Sequence, residues 1–272
     1  CAVKLEATRL GLPVLQPDSV RDPGFIAQVG ELAPQSIVVV AYGRILPAEL
    51  LAIPPRWCIN LHASILPRYR GAAPIARAII GGEKVTGCTT MKMDRGLDTG
   101  DILLTKECAI GLLETAGELT ARLAVLGADL LAETMREHAR GVLEPRRQAS
   151  DEATAAPPLT KEDARIDWKD DAASIACRVR GCNPWPVAAA ALDGRRVQIL
   201  RAEQSFETWT AAGRRPAPGE VLRADAERLL VQCGENSRLA VLELRLPGGR
   251  AMSASAAVSG RLVRAGQRFG PV

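Results

Sequence analysis

Asn60 and His62, two residues apart, are the side chains of this 272-residue chain best placed to do chemistry together. They lie in the run Cys58-Ile-Asn-Leu-His-Ala-Ser-Ile-Leu-Pro-Arg-Tyr-Arg-Gly-Ala-Ala-Pro-Ile75. Side chains alternate between the faces of a strand, so a strand here turns the amide and the imidazole one way and Ile59 and Leu61 the other. An amide is a hydrogen-bond donor and an imidazole moves protons near neutral pH. Only His62 and His138 are available for the second role. A carboxylate to hold the ring can come from Met93-Asp-Arg-Gly-Leu-Asp-Thr-Gly-Asp-Ile102, a glycine-punctuated loop carrying Asp94, Asp98 and Asp101. A polar strand end with a satisfied histidine, beside a loop of ordinary turn residues, is the competing reading.

Those side chains need a frame. The first half alternates strand-like apolar runs with helical patterns, as βαβ units in an α/β fold do. Helices are expected over 3–12 and 22–32, with a short strand at 13–15 between them. The Ser-Ile-Val-Val-Val-Ala run at 36–41 is apolar on both sides and is expected as a central strand. A helix at 46–51, a strand at 57–62, a helix at 73–80 opening at Pro74, and a strand pair at 85–93 and 101–109 follow. The longest helix, 114–140, carries Leu119, Leu123, Leu126, Leu130 and Leu131 as core. Asn60 and His62 then fall at the carboxyl end of a parallel strand, where open α/β sheets place their ligand crevices.

The pattern stops at 141–158, where Pro145, Arg146-Arg147 and Pro157-Pro158 read as a linker. It divides the chain into 1–140, 141–158 and 159–272. The last part carries a helix at 171–180 and strand-like runs at 187–192, 196–202, 219–222, 228–233 and 239–246, the spacing of a small barrel, then a helix at 251–258. Residues 1–156 hold 17 basic and 18 acidic side chains, whereas 157–272 hold 18 and 13, so the net +4 belongs to the second half. Such asymmetry fits either a polyanionic partner or a solvated basic surface. The longest stretches without a charge run twelve residues, short of the roughly 20 that span a bilayer, so a soluble protein is expected. Seven cysteines, with no pair at the spacing of a zinc or redox site, point to reduced thiols in the cytoplasm and to no metal.

Asn60-Leu-His62, Ser64, Leu66-Pro67, Arg70-Gly-Ala-Ala-Pro74 and Gly96-Leu-Asp-Thr-Gly-Asp101 together resemble the active-site sequence of folate-dependent formyltransferases, specifically the methionyl-tRNA formyltransferase family. The second half is similar to that family's tRNA-binding barrel at Thr160-Lys-Glu-Asp163, Ile166-Asp-Trp168, Val179-Arg-Gly-Cys-Asn-Pro-Trp-Pro186 and Pro247-Gly-Gly-Arg-Ala-Met-Ser253. The resemblance implies a Rossmann-like, mostly parallel sheet followed by an OB-like barrel, and formyl transfer from 10-formyltetrahydrofolate to the α-amine of initiator methionyl-tRNA, without a metal, by a cytoplasmic monomer that meets neither DNA nor a membrane. It assigns Asn60, His62 and Asp98 to catalysis, with Asn60 and a protonated His62 as oxyanion donors and Asp98 orienting the ring and taking or relaying the amine's proton. Asp94 and Asp101 become loop caps, with Asp101 as the alternative working carboxylate. Arg44, Ile45, Leu46, Ser64, Leu66 and Pro67 are implied at the folate, and Leu66-Pro67 is a candidate cis bond. Arg68 and Arg70 are candidates for the tRNA 3' end or the folate tail.

Other side chains receive plainer roles. Cys58 lacks a second imidazole beside it and is a poor acyl acceptor. His138 is expected to face solvent near a helix C-terminus. Trp185 and its prolines are expected to pack the barrel closed rather than to stack on a base. Members of the family open with a strand, a helix and a second strand, and this chain begins at Cys1 without them. The expectation is therefore an N-terminally incomplete catalytic domain. Its alternatives are an impaired tRNA-binding remnant and a related formyltransferase or hydrolase acting on a small amine.

Overall fold

The computed structural model describes residues 2–208 and 215–272, so Cys1 falls outside it. Helices α1 (Ala2–Arg9) and α2 (Pro23–Glu31) come first, and Asp22 caps α2 by accepting from Gly24 N ahead of Pro23 at the first helical position. A four-stranded sheet follows in the order β1 (Ile37–Val40), β2 (Cys58–His62), β3 (Val85–Lys92), β4 (Ile102–Ala109), with α3 (Ala48–Leu51) and α4 (Pro74–Ile80) in the connections. Strand β1 runs parallel to β2, while the β2–β3 and β3–β4 pairings are antiparallel, so the sheet is mixed.

Two expectations need correction. Residues 13–15 form no strand, and Val14 and Leu15 are exposed. Strand β1 pairs only with β2 and forms an edge of the described sheet, with Val38 40% and Val40 49% exposed. A β-branched run reports extended backbone; it does not report how many neighbours the strand acquires.

Helix α5 (Ala116–Arg140) covers one face of this sheet. Thr115 and Glu118 close a reciprocal capping box at its start. Leu119, Leu123 and Leu130 are buried from it, and Leu131 and Met135 pack around Ile59. A Cβ on Gly127 would stand 2.8 Å from Leu61 Cδ2, so the glycine lets α5 approach β2 closely. Ile59 is fully buried, worth about 1.5–3 kcal/mol. Cys58, by contrast, directs its thiol to the Leu51 carbonyl on the other face. Asn60 and His62 share that second face, as alternation along β2 requires.

The second half is a curled antiparallel sheet, β5 (Ala189–Leu192), β6 (Arg195–Ser205), β7 (Val221–Ala224), β8 (Leu229–Gln232), β9 (Arg238–Arg245) and β11 (Phe269–Gly270), ordered β11-β5-β6-β9-β8-β7, with β10 (Ala251–Ser253) beside β9. Its two ends are joined by Val221 N to Gln267 O at 2.9 Å and Phe269 N to Gly219 O at 2.8 Å. Helix α6 (Ala172–Gly181) plugs the curl with Ile175 and Val179, and Trp168 stacks on Phe269 at 5.2 Å. The stretch expected as one helix at 251–258 divides into β10 and the short α7 (Ala254–Ser259).

The halves meet along α4 and α6. A Cβ on Gly181 would lie 2.4 Å from Ile80 Cγ1, and Arg77 of α4 donates to both Asp163 oxygens at 2.6 and 3.1 Å. Buried Arg180 reaches the Gly111 and Glu114 carbonyls. Trp185 does not pack the barrel. Pro184 takes the contact with Gly117, the Asn183 amide donates to Leu200 O, and the indole stays 57% exposed.

Candidate active site

The end of β2 carries the site. Parallel register sets Val39 opposite Asn60 and Val40 opposite Leu61, so the chain leaves β1 at Ala41 beside His62. The loop after β3 starts lower, where Met93 N bonds Cys58 O at 2.8 Å, and doubles back so that Asp98 reaches His62. Asp98 adopts a left-handed φ of 54°, inside a loop tied by Asp94, which accepts from Gly96 N at 2.9 Å and from Thr99 Oγ1 at 2.7 Å. Asp94 is thus a loop cap. Asp101 accepts from Lys92 N through its backbone carbonyl.

The Asp98 carboxylate stands 3.6 Å from His62 Nδ1, both side chains being mostly buried. That is too long for a hydrogen bond and within ion-pair distance of the ring whenever the imidazole is protonated. His62 Nε2 lies 2.9 Å from the Tyr69 carbonyl. A carbonyl only accepts, so Nε2 carries the hydrogen in this contact and Nδ1 is the nitrogen left for chemistry. Asp98 Oδ2 accepts from Gly71 N at 2.9 Å. Gly71 has φ 125°, and a Cβ there would stand 2.7 Å from Ala156 O, so only glycine fits the turn that presents this amide.

Asn60 is 9% exposed, and among the described residues its amide makes no hydrogen bond. It is a donor held ready beside the imidazole. Burial pushes the Cys58 thiol up to about 11, which makes it a weak nucleophile.

The 41–47 loop passes left-handed residues at Ala41 and Gly43. Leu46 is buried, Arg44 and Ile45 are exposed, and among the described residues no hydrogen bond engages the backbone of 44–46. Ser64 and Leu66 sit inside. The Ser64 hydroxyl donates to Arg68 O at 2.6 Å, and Leu66 packs on Met91 and Ile102. The Leu66-Pro67 bond is cis, as anticipated. Arg68 pairs with Glu83 and covers the Tyr69 ring at 5.4 Å. Burial, with help from Glu83, pushes the Tyr69 hydroxyl up to about 12. Arg70 donates to Gln148 Oε1 at 3.0 and 2.7 Å.

Sequence reasoning missed Gln148, the Tyr69 carbonyl and the Gly71 amide; only the glycine in Arg70-Gly-Ala-Ala carried a signal. His138 also differs from expectation. It is buried, its Nε2 lies 2.9 Å from Ser36 Oγ, and its ring packs on Trp57 at 4.6 Å. Burial and the nearby Arg56 charge lower its pKa, favouring a neutral ring. On the outer face of the barrel, Arg196, Gln198 and Arg245 line an open hollow of about 350 Å³ with the 246–249 turn. No helix of the described residues is long and apolar enough to cross a membrane.

Residues 3–135 match the family model described as formyl transferase, and residues 158–262 match the formyl transferase C-terminal domain. Fold and site therefore define a formyl transferase with its added C-terminal domain. The methionyl-tRNA formyltransferase of Caldanaerobacter subterraneus subsp. tengcongensis is 49% identical over 253 residues, covering 92% of this chain and 79% of that protein. That of Citrifermentans bemidjiense is 46% identical over 268 residues, covering 98% and 82%. The chain belongs to the methionyl-tRNA formyltransferase family. Its fold also resembles an N-formyltransferase of Helicobacter canadensis solved with folinic acid and dTDP-3-aminofucose (TM-score 0.66, 16% identity, 86% of this chain and 80% of that one). HypX of Aquifex aeolicus, solved with tetrahydrofolic acid, shares it too (TM-score 0.63, 21% identity, 89% and 41%).

Proposed function

We propose that this chain transfers the formyl group of 10-formyltetrahydrofolate to the α-amine of initiator methionyl-tRNA, with Asn60, His62 and Asp98 as its catalytic residues. The observation that carries the reading is the shared face of Asn60 and His62, with Asp98 at 3.6 Å from Nδ1, in a chain of this family. The α-amine nitrogen attacks the formyl carbon, a C–N bond forms, and the carbonyl electron pair moves onto oxygen. The Asn60 amide donates to that oxyanion, a contribution typically worth about 2.7–4 kcal/mol. His62 takes the proton lost by the amine at Nδ1 and delivers it to N10 as the C–N10 bond breaks, leaving tetrahydrofolate and formyl-methionyl-tRNA. Asp98 stabilises the charged ring between the two transfers. This places the proton traffic at Nδ1 because Nε2 is held by Tyr69.

The open backbone of Arg44, Ile45 and Leu46 suits hydrogen bonds to the edge of a flat pterin. Ser64, its hydroxyl committed, and Leu66, its side chain buried, support the turn above β2, while half-buried Pro67 is kept at the folate. Arg68 and Arg70 are kept as candidates for the tRNA 3' end or the folate tail, although their guanidinium groups are already partnered by Glu83 and Gln148. The basic hollow at Arg196 and Arg245 suits phosphates of the tRNA, which position a nucleic acid without reading its sequence. In this reading the chain acts as a monomer in the cytoplasm.

The test compares acceptors. With 10-formyltetrahydrofolate as donor, methionyl-tRNA is formylated, free methionine is a far poorer acceptor, and uncharged tRNA inhibits. Transfer to a small amine that is equally fast and indifferent to added tRNA would overturn the reading.

A further inference from the structure

The segment between the two halves grips both arms of the catalytic pair. Arg146 exchanges two backbone hydrogen bonds with Ile102, at 2.8 and 2.9 Å, just past the Asp98 loop. Thr154 and Ala156 pair with the loop that holds His62 and Asp98: Arg70 N donates to Thr154 O at 2.8 Å and Ala156 N to Arg70 O at 2.6 Å. Between these anchors lies Gln148, 5% exposed. Its amide nitrogen donates to Asp98 O at 2.9 Å and to Gly100 O at 2.6 Å, while its oxygen accepts from Arg70. Every polar atom of the Gln148 side chain is thus used in joining the Asp98 loop to the Arg70 loop.

Asp98 needs such a hold. Its backbone is left-handed, a conformation that costs a non-glycine residue free energy, and no strand or helix maintains it. We propose that Gln148 is a positioning residue for Asp98, through which the interdomain segment sets the distance between the carboxylate and His62. It touches neither substrate nor ring. The inference rests on Asp98 being catalytic, and its test separates the two.

Gln148→Glu keeps the shape and the acceptor for Arg70 but replaces the nitrogen that makes both donations with one oxygen facing two carbonyls. Gln148→Met keeps the length and drops all four hydrogen bonds. Both variants are expected to lower kcat about 10²-fold, the loss associated with displacing a reacting group by about an ångström, with little change in the KM for folate or the affinity for methionyl-tRNA. In an Asp98→Asn background the same changes are expected to cost nothing further, because residues acting as one unit are non-additive. The chain has two histidines, so removing one of them assigns the His62 ring resonances. Gln148→Glu is expected to move those resonances towards their positions in Asp98→Asn. A kcat close to wild type, or a loss that multiplies with that of Asp98→Asn, would overturn the positioning role while leaving Asp98 catalytic. Full activity of Asp98→Asn itself would overturn both.

Discussion

Among the described residues Asn60 differs from His62, Asp98 and Gln148 in having no hydrogen-bond partner for its side chain. His62 is bound to Tyr69, Asp98 to Gly71, and Gln148 to three groups, whereas the Asn60 amide is free among the described residues. A mostly buried donor left unpaired in the resting state loses little when a ground-state carbonyl arrives and gains most when that oxygen becomes charged. Asn60→Ala is therefore expected to lower kcat by about 10²–10³-fold with little change in folate KM, as steady-state kinetics would show. Period-two alternation along Asn60-Leu-His62 made this pair legible in the sequence. His138 was not, because helical position near a C-terminus says nothing of Ser36 and Trp57, far away in sequence, which draw the ring inside. Gln148 was hidden for the same reason: its bonds to Asp98 and Gly100 span 50 and 48 residues, and its surroundings read as linker.

Elements with their own chemistry were readable from local pattern. The α5 helix announced itself by its leucine spacing, and β2 to β4 by their apolar runs. What the pattern could not supply was neighbours: β1 lies at an edge of the described sheet, residues 13–15 form no strand among the described residues, and the curled sheet needed Gln267 to meet Val221 before its ends joined. The contact between α4 and the second half likewise rests on partners far apart in sequence. Arg77 holds the Asp163 carboxyl down at about 2, aided by Thr160. A depressed carboxyl contributes stability fully above its unfolded value, and that contribution is lost as pH falls through the folded value. Arg77→Ala is expected to cost about 2 kcal/mol at neutral pH, the range for a charged hydrogen bond. Denaturant titrations should show the gap to wild type narrowing below about pH 4.

At the scale of the whole chain, a near-neutral first half carries Asn60, His62 and Asp98, and the second half is basic, as the proposed binding of a polyanion would require. The charge division was legible in the sequence. The sequence did not disclose that this connecting segment lies against the site, reaching Ile102, Asp98 and Arg70 within a few residues of one another. Under the proposed function, binding and chemistry occupy different halves that share one structural joint. Chemistry should be separable from binding by a single side chain. The most direct measurement is single-turnover formylation of methionyl-tRNA by His62→Ala, with tRNA affinity determined on the same preparation. The account predicts transfer lowered by roughly 10²–10⁴-fold, the range for loss of a general acid–base group, with tRNA affinity near wild type. Transfer at the wild-type rate, or equal loss of transfer and binding, would contradict it.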